Sequence, residues 1–212
     1  MRIRTKTDLQ DFLSFDLSWR KKELTNLHND VRTANVKKLP TSLRCAVVLL
    51  YAHWEGFIKN AAEAYLTYIK FQKLKLNEVN DNILALSLKQ KIKEFSETNK
   101  ATKHVEFVTF FKNNLNEKAQ FSETDSIKTK SNLNSEILAE IFATIGISSV
   151  PYALKANMID TQLLNYRNTI AHGNHLIIDI KEYNLLHAEI ILMLDNISTD
   201  ISNACVLDHF KV

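Results

Sequence analysis

The chain has 212 residues, 45% hydrophobic and 24% charged, which is enough apolar side chain for one sizeable core. Its three glycines and two prolines exclude a fold of many tight turns, since an average chain this long carries roughly 15 and 10. Long helices are predicted instead. Net charge is +3, with 14 Lys and Arg against 7 Asp and Glu in residues 1–75 and 2 against 6 in residues 174–212. Solvated helix faces account for such a skew, and so does a basic surface that attracts a polyanion such as RNA.

Periodicity predicts a first helix over 7–34, with Leu9, Phe12, Leu13, Leu17, Leu24, Leu27 and Val31 on one side. Thr7 and Gln10 resemble a capping box. Pro40, Thr41 and Ser42 start a second, long helix over about 42–72. It is apolar nearly all round from Cys45 to Ile69, which makes it the central, buried element. Its polar stripe is Glu55, Lys59 and Glu63, spaced for a solvated row of i,i+4 pairs. The same Glu55 and Lys59 cut the apolar run 45–54 far short of the ~20 residues a membrane span needs.

Amphipathic helices follow over 81–97 and 104–115. The polar stretch 116–131 reads as a surface loop. Asn134 or Ser131 caps a helix over 133–145 that Gly146 ends. Residues 147–156 around Pro151 are a connection, and 157–172 form the penultimate helix. Asp179 with Glu182 opens a long last helix over about 180–205. The whole reads as one all-α domain, 1–212, with about 75–131 as an inserted or extra helical segment.

Chemistry concentrates at the end of the penultimate helix, in Arg167-Asn168-Thr169-Ile170-Ala171-His172-Gly173. Asn168 and His172, four apart, share a helical face; Arg167 is roughly 140° round from His172 at 100° per residue, within reach of its long stem. A helix C-terminus favours an imidazolium. Arg, amide and imidazole are the groups that handle a phosphodiester: guanidinium binds phosphate oxygens as a fork and His moves protons. RNA cleavage by 2′-hydroxyl attack needs a base, an acid and positive charge, which two copies of this helix end supply together. On spacing alone, a plain helix end is the favoured reading: Arg167 in a salt bridge, His172 facing the dipole, Gly173 as C′ cap. His172 and His175 have no further ligand at metal-binding spacing, so neither metal nor cofactor is expected. Cys45 and Cys205 lie far apart, and with no leader of the secretory type the expectation is reduced thiols in the cytoplasm.

Arg-Asn-x-x-x-His-Gly before a final long helix in an all-helical chain resembles the HEPN superfamily (higher eukaryotes and prokaryotes nucleotide-binding). The phrases Tyr51-Ala-His-Trp-Glu-Gly-Phe-Ile-Lys59 and Leu84-Ala-Leu-Ser-Leu-Lys89 are similar to those of MAE-type HEPN-like nucleases, so the resemblance spans most of the chain. It implies a helical bundle and a metal-independent endoribonuclease, a homodimer with a composite site at the interface of the last two helices. It also implies a toxin of a toxin–antitoxin or phage-defence system, with RNA as substrate and an antitoxin as partner. In that reading Arg167 clamps the transition state, His172 transfers the proton and Asn168 positions phosphate or His. His175, just past the helix end, joins as a phosphate contact. His53, Glu55 and Lys59 stand at the mouth of the cleft in one reading; in the other His53 is a buried hydrogen-bonded histidine and Glu55 belongs to the salt-bridge row. The alternative for the whole chain is a non-catalytic HEPN module that binds a partner protein.

Overall fold

A computed structural model describes residues 2–212. Its helices are α1 (Lys6–Thr33), α2 (Leu39–Phe71), α3 (Asp81–Ser96), α4 (Ala101–Asn113), the single turn α5 (Glu123–Ser126), α6 (Ser135–Ile145), α7 (Asn165–Ala171) and α8 (Ile180–Val206). Among the described residues 74% are helical and no strand forms beyond two isolated bridges, Lys75 with Lys118 and Val79 with Lys211. The fold class is all-α.

The heart is three long helices, α1, α2 and α8, packed on one another, with α7 laid against α2. The strongly apolar α2 is central: Leu50, Trp54, Phe57, Ala61, Tyr65 and Leu66 are all fully buried. From α8, Tyr183, Leu186, Ile190, Leu194 and Ile197 meet it at helical spacing. Each such large apolar side chain contributes about 1.5–3 kcal/mol relative to exposure.

The apolar stripe of α1 is interrupted between Leu13 and Leu24 by Asp16 and Arg20, both buried. Arg20 donates from Nε (2.9 Å) and Nη2 (3.2 Å) to Asp16 and from Nη1 (3.3 Å) to the His53 carbonyl. Gly56 makes room for it: a Cβ there would sit 2.7 Å from Arg20 Nη1. Buried charges persist only when paired and hydrogen-bonded, and here α1 and α2 share that cost across their contact.

Ile83 and Leu86 of α3, with Ile127 and Leu133 of the following loop, join the same core as α2 and α8. The helix α4 has no buried residue and rests on α3. Residues 75–131 are therefore packed into the core near both ends, while α4 stands outside it.

Several helix ends follow their capping residues. Asn134 Oδ1 accepts from Ile137 N (2.8 Å), and Gly146, at φ 72°, ends α6. The cap of α1 differs from the expected Thr7 and Gln10. Thr5 Oγ1 accepts from Asp8 N, while the Asp8 carboxylate accepts from the backbone of Thr5 and Arg4. Those two backbone donors, Arg4 first, hold the Asp8 carboxyl below its ordinary range. The expected single helix over 157–172 is divided. Met158–Leu164 is π-helical with Asn165 N donating to Asp160 O, and only Asn165–Ala171 is α; the connection before it holds a 3-10 turn, Val150–Lys155.

Candidate active site at the end of α7

The π segment delivers α7 to the face of α2. Ile159 and Leu163 are fully buried and anchor it. The Asp160 carboxylate accepts from Ser135 N (2.7 Å) and Ser135 Oγ (2.6 Å), pinning the segment to the start of α6. A carboxylate there also suits the positive end of the α6 dipole.

Arg167 is half-buried, and its guanidinium carbon lies 4.7 Å from the centroid of the Tyr51 ring. Nη1 donates to Asn168 Oδ1 at 2.7 Å. Among the described residues no carboxylate stands within 4.0 Å of it: the ion pairs of the fold lie elsewhere. Of the plain helix-end reading, the salt bridge expected of Arg167 is not made. The cation is held by an aromatic face and a neutral amide, which orient it without neutralising it.

The rest of the helix end is a Schellman cap. Gly173 N donates to Ile170 O and Asn174 N to Thr169 O, both at 3.0 Å, with Gly173 at φ 77°. Its position was readable from the glycine. His172 is the C-cap residue and is exposed, with its backbone N–H tied to Asn168 O. His175 is exposed in the link that follows. Arg44 of α2 donates from Nη2 to Asn174 O at 3.3 Å, bracing that link.

Tyr51 is the residue that joins these parts. Its ring carries Arg167, and its hydroxyl accepts from Leu133 N at 2.6 Å. Glu55 lies one turn on, near the same hydroxyl; burial first and Glu55 second raise the Tyr51 titration far above its ordinary range. At the start of α8, Asp179 accepts from Lys181 N (2.7 Å) and Glu182 N (3.3 Å). The reciprocal half of that capping box is absent, because the Glu182 carboxylate instead accepts the Tyr166 hydroxyl at 2.5 Å. That bond, with burial, raises Tyr166 to about 12 and clamps α7 to α8.

A family model described as RiboL-PSP-HEPN matches residues 15–203. The chain belongs to the RiboL-PSP-HEPN family. The match takes in the α2 phrase, the heptad and all but the outer ends of α1 and α8, so the HEPN resemblance drawn from those motifs is a membership. No curated protein and no solved structure matches the chain.

Within this RiboL-PSP-HEPN chain the other site candidates separate. His53 is buried and faces α1: Nε2 meets Glu23 at 2.8 Å and the ring lies edge-on to Trp19 at 5.2 Å. Burial pushes its titration down, with Glu23 working against that shift. At 100° per residue, His53 points roughly opposite to Tyr51 on α2, so it is turned away from Arg167. The buried, hydrogen-bonded reading of His53 is the one the structure shows. Lys59 is exposed and pairs loosely with Glu63, 3.9 Å away, two turns along α2 from Tyr51. Glu55 makes no ion pair with Lys59 within 4.0 Å and lies near the Tyr51 hydroxyl, on the Arg167 side of α2. Tyr51 itself was missed as a site residue. The available signal was spacing: Tyr51 and Glu55 are four apart on one face, and His53 is not.

Among the described residues, no helix is long and apolar enough to cross a membrane.

Proposed function

We propose that the chain is an endoribonuclease that cleaves RNA by 2′-hydroxyl attack without a metal ion, at a composite site made by two copies of the α7 end. The observation that carries this reading is Arg167: a preorganised guanidinium with no carboxylate partner, beside an exposed imidazole on the same helix end. A cation left unpaired at such a position suits an anionic ligand.

In the reaction, one His172 takes the proton from the 2′-hydroxyl as the O2′–P bond forms. The His172 of a second copy protonates the 5′-oxygen as the P–O5′ bond breaks. Arg167 binds the non-bridging oxygens as charge builds on them, and Asn168 fixes the Arg167 fork. Each proton transfer is worth about 10²–10⁴-fold in rate, and the products are a 2′,3′-cyclic phosphate and a 5′-hydroxyl. His175 adds a contact to flanking phosphate.

The second copy has a surface to meet. Next to Ile170 of the heptad, a groove of about 460 Å³, mostly apolar in surface, is lined by Thr41, Arg44, Cys45, Val48 and Leu49 of α2. Ile177, Leu185 and Leu192 are exposed on the link and α8, at 83%, 70% and 53%. Exposed apolar surface of this kind favours self-association. The dimer face in this account takes in α2 as well as the last two helices. A toxin held by an antitoxin, in defence against phage, is the biological setting the reading supports; expression alone arrests growth in that case, and His172→Ala relieves the arrest.

The test is incubation of purified protein with RNA in EDTA, wild type beside His172→Ala. Cleavage by the first and none by the second is expected. A protein that leaves RNA intact, alone or as a dimer, and instead binds a partner protein supports the non-catalytic module.

A further inference from the structure

The loop before α6 holds a feature that the α7 chemistry does not use. Residues Thr129–Asn132 form a tight turn closed by Asn132 N donating to Thr129 O at 3.1 Å. Its two central residues, Lys130 and Ser131, sit at φ 54° and 55°. That is a type I′ turn, for which Asn-Gly is the usual sequence; here both positions carry side chains in the left-handed region without glycine. The flanks hold it in place. Ile127, Thr129 and Leu133 are buried, which turns Lys128 and Lys130 outward. The exit of the turn is tied to the active-site end, because Leu133 N donates to the hydroxyl of Tyr51, whose ring carries Arg167.

Lys128 and Lys130, with Lys89 of α3, line an open groove of about 440 Å³ between α3, the turn and α6. All three lysines are exposed, and none makes an ion pair within 4.0 Å among the described residues. Glu136 and Glu140 form the α6 side of the groove and leave the lysines unpaired. Lys130 lies three residues before Leu133, whose N–H meets the Tyr51 hydroxyl, so one buried side chain links the turn to the residue that carries Arg167.

We propose that Lys128 and Lys130, just before and within the Thr129–Asn132 turn, form an RNA-backbone subsite of the same active site, linked to Arg167 through Tyr51. The proposal rests on the endoribonuclease reading and extends it to where flanking phosphates are held. Lysines on a rigid turn bind phosphate as point charges, independent of base, and each phosphate neutralised on a single strand contributes about 0.7 to the salt slope of binding. The buried flanks Ile127, Thr129 and Leu133 anchor the backbone that carries both lysines, so less backbone order is lost on binding. The Tyr51 hydroxyl is the device that couples the two parts: it positions the turn, while the ring positions the guanidinium.

The test is binding of a fluorescent single-stranded RNA to full-length His172→Ala protein over a salt series, beside cleavage by wild type. In that background Lys128→Gln with Lys130→Gln raises Kd about tenfold at moderate salt and lowers the salt slope by about 1.4, two contacts' worth. Lys100→Gln with Lys112→Gln, the same charge change at the N-cap and last turn of α4, leaves Kd within about twofold. Tyr51→Phe, which keeps the ring and removes the acceptor of Leu133 N, also raises Kd. Wild type that cleaves RNA while the turn variant binds with parental Kd and slope overturns the subsite and leaves the enzyme reading standing. The same effect from the α4 pair also overturns it. Wild type that neither binds nor cleaves RNA overturns both.

Discussion

The guanidinium of Arg167 rests on the face of Tyr51, 4.7 Å from the ring centroid, although the two are 116 positions apart in the chain. The contact orders a long side chain in advance and keeps its charge, the condition for a transition-state clamp that costs little reorganisation when the reaction occurs. A lysine cannot copy it, because an ammonium has neither the planar face for stacking nor the two-pronged fork for phosphate. Arg167→Lys is expected to lower kcat/KM for RNA cleavage by about 100-fold or more. Its thermal midpoint stays within a few degrees of wild type, since Arg167 makes no ion pair; steady-state kinetics and a melting curve check both.

Gly173 ends α7 at φ 77°, with nothing within 4 Å of where a Cβ would stand. Gly173→Ala therefore meets a conformational penalty and no clash. The expected cost is about 1 kcal/mol, seen as a fall in Tm of about 2–4 °C for a chain of this size. Activity should fall further than stability, because His172 sits one residue earlier on the cap being disturbed. A Gly173→Ala enzyme of full activity and lowered Tm would show that the cap does not position the imidazole.

Between α1 and α8, His28 Nδ1 and His187 Nδ1 meet at 3.1 Å, with Tyr183 beside both rings and Arg32 near His28. Burial first, and His28 second, press His187 down to about 4 from an ordinary 6.5. A histidine depressed in the fold binds its proton more readily when unfolded. Stability from this site is thus complete above about pH 6.5 and is lost as pH falls from there towards 4. Melting curves at pH 7.5 and pH 5 should show wild type losing on the order of 1 kcal/mol more than His187→Gln. Equal losses in the two proteins would contradict the assignment.

Local chemistry was legible wherever one residue decides it. Asn134, Gly146, Gly173 and Asp179 mark helix ends in the sequence and at the same places in the structure. The burial of α2 followed from its composition. The π segment was not legible, because Ile159 and Leu163, four apart, satisfy a period of 3.6 and a wider one alike. The Thr5 and Asp8 cap was overlooked because Asp at the third helical position serves the box as Glu does, and Thr7 beside it offered a plausible rival. The role of Tyr51 was hidden for a different reason. Sequence periodicity shows which face a residue occupies and not what arrives there from a helix more than a hundred residues later. Among the polar residues of Tyr51–Lys59, His53 drew attention by its chemistry, while its face is given to Glu23 and Trp19.

The central claim is that RNA is cut at the α7 end by Arg167 and His172. The most direct measurement is end-group analysis of RNA incubated in EDTA with wild type, Arg167→Ala and His172→Ala proteins purified in parallel. The account predicts fragments bearing 2′,3′-cyclic phosphate from wild type alone, and no cut where the 2′-hydroxyl at the scissile position is replaced by hydrogen. Cleavage that persists undiminished in His172→Ala, or that proceeds without the 2′-hydroxyl, would contradict it.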